Sequence, residues 1–244
     1  MNRQAQAAVL FLIGGAVLRA GLTDLYLRYV KAGLRPLLLA AGMVLIVAAI
    51  ATVWYELRRP RTDHESRPER ELHDEHGHAH REPRISWLLV LPLFALILVA
   101  PPALGSYSAL RTGTALQEPL AFPALPADDP LRLGVVDYAG RAAYDHGHSL
   151  GDRRIKITGF ITLDRDGAPY LTRMVLNCCA ADAQPVKVGL SGEVPPVLQP
   201  DTWVEVTGTY TSKQAKDPVN DGVIPFIDIS RARPVPAPPN QYED

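Results

Sequence analysis

Apolar residues are concentrated in the first hundred positions of this 244-residue chain, where they form three long runs. Residues 36–54 and 85–104 contain 19 and 20 predominantly apolar positions. A helix of that length, rising about 1.5 Å per residue, covers about 30 Å of hydrocarbon, so both runs predict transmembrane helices. The remaining run, residues 5–18, reaches a comparable length only by continuing through Arg19 and Asp24 towards Tyr29.

The first run has two interpretations, an uncleaved transmembrane helix or a cleaved secretory signal. Leu18, three residues before a cut after Ala20, is too large for the small-x-small cleavage pattern, which favours the uncleaved helix. Arg19 and Asp24 lie within this predicted helix, and ionisable groups at membrane depth are candidates for function. The alternative is that Arg19 extends its charge to the interface while Asp24 pairs with Arg28 one turn later.

The distribution of basic residues predicts the orientation of the chain. The loop between the first two predicted spans holds Arg28, Lys31 and Arg35. The segment between the second and third spans holds seven basic residues: Arg58, Arg59, Arg61, Arg67, Arg70, Arg81 and Arg84. Because short basic loops stay in the cytoplasm, we expect a cytoplasmic N-terminus and an extracytoplasmic C-terminal domain in the cell membrane. The expected organisation is two transmembrane helices (1–58), a charged linker (59–84), a third transmembrane helix (85–104), a Pro-rich connector (105–130) and a soluble domain (131–244).

The linker has almost no apolar residues, so it cannot bury a core and we expect it to be disordered. Histidines alternate with carboxylates in it, which suits weak binding of zinc, nickel or copper ions. A solvated polar linker that binds metal only incidentally is the other interpretation. The residues of this weak candidate site are His73, His76, His78 and His80.

The last hundred residues show runs of alternating apolar and polar positions that predict five short β-strands, preceded by a short helix or loop at 137–150. Gly159 and Gly208 fall at matching places where a barrel needs bends. We therefore predict an α-helical membrane region of three helices plus a small all-β, OB-like barrel. A net charge of −1 and mixed acidic and basic residues predict no nucleic-acid binding. The predicted strands are residues 154–163, 170–177, 184–190, 203–210 and 224–231.

Cys178 and Cys179 are the only cysteines, and Asp182 follows three residues later. A disulfide between neighbours closes almost no loop, which argues against a structural staple as the role of these cysteines. Three interpretations remain: a metal site with Asp182 or with His146 and His148, a redox-active pair, or a small core residue beside an incidental one. Zinc is the cofactor that we expect in the first case. No base can be assigned to a nucleophilic cysteine, so we expect no enzyme.

The segment from Arg173 to Ala183, together with Gly159, Phe160 and the helical front end with its histidine linker, resembles the YcgQ-like bacterial membrane proteins. Its specific part is the Cys-Cys-Ala-Ala-Asp motif. The resemblance covers nearly the whole chain. It implies a C-terminal domain of unknown function, a YcgR-like multi-span permease as partner and a context of zinc homeostasis.

Taken together, these features predict a non-enzymatic accessory subunit in the lipid bilayer, with helices that dock on the permease and an outward barrel that binds metal or cargo. Gly14 and Gly15 in the first run and Gly42 in the second offer small surfaces for such docking. The alternatives are a membrane-tethered thiol redox protein and a structural partner that binds the envelope without chemistry at the cysteines.

Overall fold

The computed structural model describes residues 3–58, 99, 102–195 and 198–243. These residues belong to two compact units. One contains two long helices, and the other contains the β domain together with residues Asp24–Leu34. The predicted linker lies outside the described residues. So does nearly all of the predicted third span, and residues 102–104 at its end are not helical.

The first unit contains helices α1 (Arg3–Leu22) and α2 (Arg35–Arg58), both long and apolar enough to cross a membrane. Large apolar side chains such as Leu37, Val44 and Val47 are exposed on α2. Such a surface suits hydrocarbon rather than water. The expectation that the first helix needs residues 23–29 to reach spanning length is wrong, because α1 begins at Arg3 and ends at Leu22. Asp24 lies beyond it in a short 3-10 helix, Asp24–Arg28.

Helices α1 and α2 pack through small residues. A Cβ atom built at Gly14 would lie 3.1 Å from the carbonyl oxygen of Gly42 and 3.0 Å from Cδ1 of Ile46. A Cβ atom at Gly42 would lie 2.8 Å from Cγ of Leu18. These two glycines therefore serve packing between α1 and α2. A Cβ atom built at Gly15, by contrast, meets nothing within 4 Å among the residues that the structure describes.

This packing predicts different effects of the same substitution at neighbouring glycines. Gly14→Leu should destabilise the α1–α2 hairpin by about 1–3 kcal/mol, because the new side chain overlaps Gly42 and Ile46. Gly15→Leu, with open space around it, is the matched control and should have little effect. Unfolding of the micelle-solubilised chain in a denaturing detergent, followed by circular dichroism at helical wavelengths, measures the difference. Equal losses in the two variants would contradict the packing described.

The described residues of the second unit form seven β-strands, five of which close into a barrel. The strands are β1 (Leu131–Arg132), β2 (Ile155–Leu163), β3 (Pro169–Val175), β4 (Gln184–Gly192), β5 (Trp203–Lys216), β6 (Val223–Pro234) and β7 (Tyr242–Glu243). Around the ring the order is β2, β3, β4, β6, β5 and back to β2, with only the β4–β6 pair parallel. The short strands β1 and β7 pair in parallel with β2 and β3.

The five predicted strands are confirmed, and both predicted glycine positions have a structural cause. At Gly208 the register between β5 and β6 shifts, and this β-bulge produces the bend that the sequence indicates. At Gly159 a Cβ atom would lie 2.7 Å from the carbonyl oxygen of Thr172, so β2 approaches β3 too closely for any side chain. Both glycines therefore allow the tight curvature of a small barrel.

The barrel core consists of inward-facing aliphatic residues such as Ile157, Leu171 and Ile227, all buried. Helix α4 (Val135–Ala143), predicted as a short helix or loop, packs its apolar face against this core. The Glu243 carboxylate accepts hydrogen bonds from the amides of Val135 at 3.0 Å and Val136 at 2.9 Å. A negative charge at a helix N-terminus is favourable, so β7 and α4 fix each other.

The predicted extended connector contains one helix, α3 (Ser106–Arg111). Asp201 accepts hydrogen bonds from the backbone amide of Ser106 and, at 2.8 Å, from its hydroxyl. The carboxylate thus satisfies an otherwise free helix-terminal amide from a residue distant in sequence. The sequence pattern does not predict this helix because its stabilising contact comes from the barrel.

Candidate metal centre

Strand β3 carries the chain to the candidate site and is held on both edges. It pairs with β4 on one side and with β7 on the other, and the amide of Leu176 donates to the carbonyl of Glu243 at 3.2 Å. Leu176 is buried among Phe160, Met174 and Tyr242. The sheet and this apolar cluster therefore anchor the segment directly before the cysteines, while Asn177 and Cys178 extend beyond it into solvent.

A tight turn follows and brings Asp182 back towards the cysteines. Residues Ala180–Asp182 form a single 3-10 turn, preceded by Cys179 in an extended conformation with φ −153° and ψ 170°. The Asp182 carboxylate accepts hydrogen bonds from the amides of Asn177 at 3.1 Å and Cys178 at 2.9 Å. Asp182 thus closes the loop by binding the backbone that leads into it, which is a frequent role of Asp at turns.

The turn brings three potential ligands together. The Sγ atoms of Cys178 and Cys179 and a carboxylate oxygen of Asp182 all lie within 4.8 Å of one another. Side chains of adjacent residues on a regular strand point to opposite faces, so the bend after β3 is what allows both thiols to serve one site. Both thiols are free; Cys178 is exposed and Cys179 half-buried. The interpretation of one cysteine as a small core residue is therefore wrong.

The carboxylate governs the acidity of the first thiol. Hydrogen bonding to Asp182, with a further contribution from Cys179, raises the pKa of the Cys178 thiol to about 11. Conversely, hydrogen bonds from the Cys178 thiol and from nearby amides hold the pKa of Asp182 below its usual range. At neutral pH the site therefore presents an ionised carboxylate beside a protonated Cys178 thiol, a combination that attracts a cation able to displace the proton.

Replacing the carboxylate should make the cysteine more reactive. In Asp182→Asn the negative charge next to Cys178 is lost, so the pKa of this thiol should fall and the thiolate fraction near pH 8 should rise. We expect roughly tenfold faster labelling by a thiol-reactive disulfide dye, since the lower nucleophilicity of the weaker base offsets part of the gain. Stopped-flow absorbance gives the rate, with Asp164→Asn as control in a turn that contains no cysteine. An unchanged rate in Asp182→Asn would contradict the assigned influence of the carboxylate.

Sequence reasoning missed a second group of residues at this site, in the segment Asp24–Leu34. Val30 forms an antiparallel bridge with Cys179, the amide of Lys31 donates to the carbonyl of Cys178 at 3.1 Å, and the amide of Ala180 donates to the carbonyl of Tyr29 at 2.7 Å. These contacts use backbone atoms, so no residue type or spacing in the sequence indicates them.

Arg173, the first residue of the segment that resembles the YcgQ-like proteins, has a structural role. Its side chain is buried, lies 4.9 Å from the Trp203 ring centroid and donates from Nη2 to the carbonyl of Tyr242 at 3.1 Å. Its Nε atom is 3.2 Å from the Glu243 carboxylate. Arg173 therefore fixes β7 against β3. It stabilises the strand that leads into the cysteine loop and does not belong to the ligand group.

The predicted histidine ligands are not brought into this site. Among the described residues, the cluster of three ligands contains neither His146 nor His148. Both are exposed in the turn after α4, where His146 adopts φ 48° and Nδ1 of His148 lies 2.6 Å from the carbonyl oxygen of Asp145. The linker histidines His73, His76, His78 and His80 lie outside the described residues.

Comparison with known proteins identifies the domain that carries the site. No curated protein and no solved structure matches the chain significantly. Residues 140–243 match the family model of the DUF1980 C-terminal domain. This match is consistent with the resemblance to YcgQ-like proteins. The chain therefore contains a DUF1980 C-terminal domain, and Cys178, Cys179 and Asp182 all lie within it.

Proposed function

We propose that this chain is an integral membrane accessory subunit of a YcgR-like permease, and that its β domain binds a metal ion through Cys178, Cys179 and Asp182. The observation that carries the proposal is the convergence of these three ligand atoms within 4.8 Å at the end of β3. The strand order and the one parallel pair within the ring of five strands, β4–β6, support the OB-like assignment of the barrel.

Zinc fits this ligand set best. Two thiolates and one carboxylate are ligands that Zn²⁺ accepts, and three protein ligands leave a fourth position for water or for a ligand from another molecule. Thiolates disfavour the harder ions Mg²⁺ and Ca²⁺. Exposure of Cys178 supports an exchangeable ion, as a delivery subunit requires, rather than a closed structural centre.

The thiol redox alternative is less well supported. A redox-active cysteine needs a lowered pKa, so that the nucleophilic thiolate is populated at neutral pH. Asp182 has the opposite influence, raising the pKa of Cys178 to about 11. The third alternative, an envelope-binding partner with no chemistry at the cysteines, does not account for the convergence of the two thiols with a carboxylate.

An extracytoplasmic position of the β domain is supported by its pairing with the segment between α1 and α2. Residues Asp24–Leu34 and the β domain belong to one compact unit, so they lie on the same side of the membrane. If α1 and α2 both span, the chain has to cross an odd number of times between residues 58 and 102 to reach that side again. The apolar run 85–104 supplies one crossing, and the basic linker favours a cytoplasmic location for residues 59–84.

The test of metal binding uses the full chain in micelles. Equilibrium dialysis against zinc, followed by elemental analysis, should give one zinc ion per chain, and the chain should retain it against Mg²⁺ in excess. Absence of bound zinc at concentrations that saturate an ordinary dithiol chelator would overturn the metal part of the proposal.

Zinc affinity should rise with pH. Below the pKa of about 11, the Cys178 thiol carries its proton in the absence of metal, so binding has to release that proton. The apparent association constant should therefore increase at least about tenfold per pH unit across the neutral range. Competition titrations with a chromophoric chelator at about pH 6.5, 7.5 and 8.5 measure this slope. An affinity independent of pH would show that no thiol proton is displaced.

The permease association has a separate test. A Cβ atom built at Gly15 on α1 meets none of the described residues within 4 Å, so this position offers a surface where another helix can approach closely. The tagged chain co-expressed with a YcgR-like permease should retain the permease during purification in mild detergent, and Gly15→Leu should reduce the amount retained. Equal recovery of the permease with Gly15→Leu would show that this surface is not the contact. No recovery of the permease with the unaltered chain would exclude the permease as the partner.

A further inference from the structure

The segment between α1 and α2 pairs with the cysteine loop on both sides of Cys179. Lys31 donates its amide hydrogen to the carbonyl of Cys178, and Tyr29 accepts from the amide of Ala180. Val30 forms an antiparallel bridge with Cys179 between these two bonds. The backbone of all three residues, 178–180, is therefore held by residues 29–31.

Asp182 holds the same loop from within the β domain. Its carboxylate accepts hydrogen bonds from the amides of Asn177 and Cys178, so Cys178 is held at its own N–H by Asp182 and at its carbonyl by the amide of Lys31. Cys179 is left in the extended conformation that this pairing requires. Adjacent side chains on extended backbone normally diverge, so the convergence of the two Sγ atoms depends on a backbone that cannot rotate freely.

A further tie keeps the segment in place beside the loop. The Tyr242 hydroxyl donates to the carbonyl of Arg28 at 3.2 Å and accepts from the amide of Leu104 at 3.0 Å. Tyr242 is itself buried next to Met174 on β3. Residues 28–31 are thus joined to the β domain through Tyr242 of β7, which pairs with β3, the strand that leads to the ligands.

We propose that metal binding by Cys178, Cys179 and Asp182 is coupled to the pairing of residues 29–31 with residues 178–180. This inference rests on the metal site proposed above. Residues 29–31 act as positioning residues, because they touch the backbone that carries the ligands and not the ion. The paired state presents converged ligands, whereas in a released state Cys179 loses the contacts that orient it.

Coupling of this kind is reciprocal. If the paired state binds metal more tightly, the bound ion strengthens the pairing by the same factor. The segment is continuous with α1 at one end and α2 at the other. A partner that pulls on either helix and releases residues 29–31 would therefore lower the metal affinity and favour transfer of the ion to that partner. The site would bind the ion while residues 29–31 are paired with residues 178–180 and would release the ion when this pairing is lost.

A pair of substitutions at one position tests the coupling. Lys31→Pro removes the amide hydrogen donated to Cys178, whereas Lys31→Ala removes the same side chain and keeps that hydrogen. Cobalt(II) serves as the probe, because thiolate ligation gives it a charge-transfer absorption that reports coordination directly. In the full chain in micelles, Lys31→Pro should bind cobalt about fivefold more weakly than Lys31→Ala, as the loss of one hydrogen bond implies. Equal affinities in the two variants would overturn the coupling.

Hydrogen exchange of the unaltered chain gives a second test that does not depend on the folding of a proline variant. Adding cobalt should slow exchange at the amides of Lys31 and Ala180 and leave that of Val188 in β4 unchanged. No slowing at Lys31 or Ala180 in a chain that shows the charge-transfer band would overturn the coupling and leave the metal site intact. Absence of the band in the unaltered chain would overturn both.

Discussion

Replacing Cys178 and Cys179 together with alanine is expected to lower the zinc affinity of the full chain by at least about 100-fold. Zinc sites of four ligands provide about 10–16 kcal/mol, so each ligand contributes about 3 kcal/mol, and the loss of even one ligand corresponds to roughly a factor of 100. The double variant removes two of the three ligand atoms that converge at the end of β3. Competition with a chromophoric chelator, on protein solubilised in micelles, measures the change.

The matched control is the double variant His146→Ala/His148→Ala. These imidazoles are exposed in the turn after α4 and do not belong to the cluster of three ligands. We expect their removal to leave zinc affinity within about twofold, since neither supplies a ligand. A larger loss in the histidine variant than in the cysteine variant would assign the metal to the turn after α4 and contradict the site described.

The second large effect concerns stability. Lys187→Met should destabilise the β domain by about 3–5 kcal/mol, because it leaves Asp217 buried without its counter-charge. Nζ of Lys187 lies 2.7 Å from the Asp217 carboxylate, and the two side chains are 5% and 0% exposed. Nζ of Lys187 also donates to the carbonyl of Thr112 at 3.2 Å, so the connector loses part of its anchorage. Denaturant unfolding followed by circular dichroism at β-sheet wavelengths gives the change in free energy of unfolding.

An exposed ion pair on the same domain supplies the comparison. Arg154 and Asp129 also lie 2.7 Å apart, but both side chains are 62% exposed. Arg154→Met should therefore change stability little, because water screens the pair and solvates the remaining carboxylate. The double variant Lys187→Met/Asp217→Asn should recover part of the loss of Lys187→Met, since no buried charge remains. Equal losses of unfolding free energy in Lys187→Met and Arg154→Met would show that burial of the ion pair does not determine its effect on stability.

Much of the barrel could be predicted from the sequence because apolar residues recur at every second position of its strands and line the core. Alternation at Ile155, Ile157 and Ile161 or at Val186, Val188 and Leu190 follows directly from that geometry. Helix α3 could not be predicted in this way, because Asp201 stabilises its start across 95 positions of sequence. The ends of α1 were also missed, since Asp24 follows the helix instead of lying within it.

The ligands of the candidate site could be predicted from the sequence, but the backbone contacts that hold those ligands in place could not. Adjacent cysteines with an aspartate three residues on indicate the ligand group, and the 3-10 turn brings them together. His146 and His148 offered suitable chemistry, yet sequence separation does not report distance in a barrel. The contribution of residues 29–31 could not be predicted from the sequence, because backbone hydrogen bonds of this kind can form whatever side chains the residues carry.

Thiol labelling of intact cells tests the central claim most directly, because Cys178 and Cys179 are the only cysteines of the chain. Cells are treated with a membrane-impermeant maleimide, with and without added zinc, and labelling of the tagged protein is scored. We predict labelling without reductant that zinc suppresses, as expected of free thiols outside the membrane that bind the ion. Labelling only after cell lysis, or labelling that zinc does not change, would contradict an extracytoplasmic metal site at these cysteines.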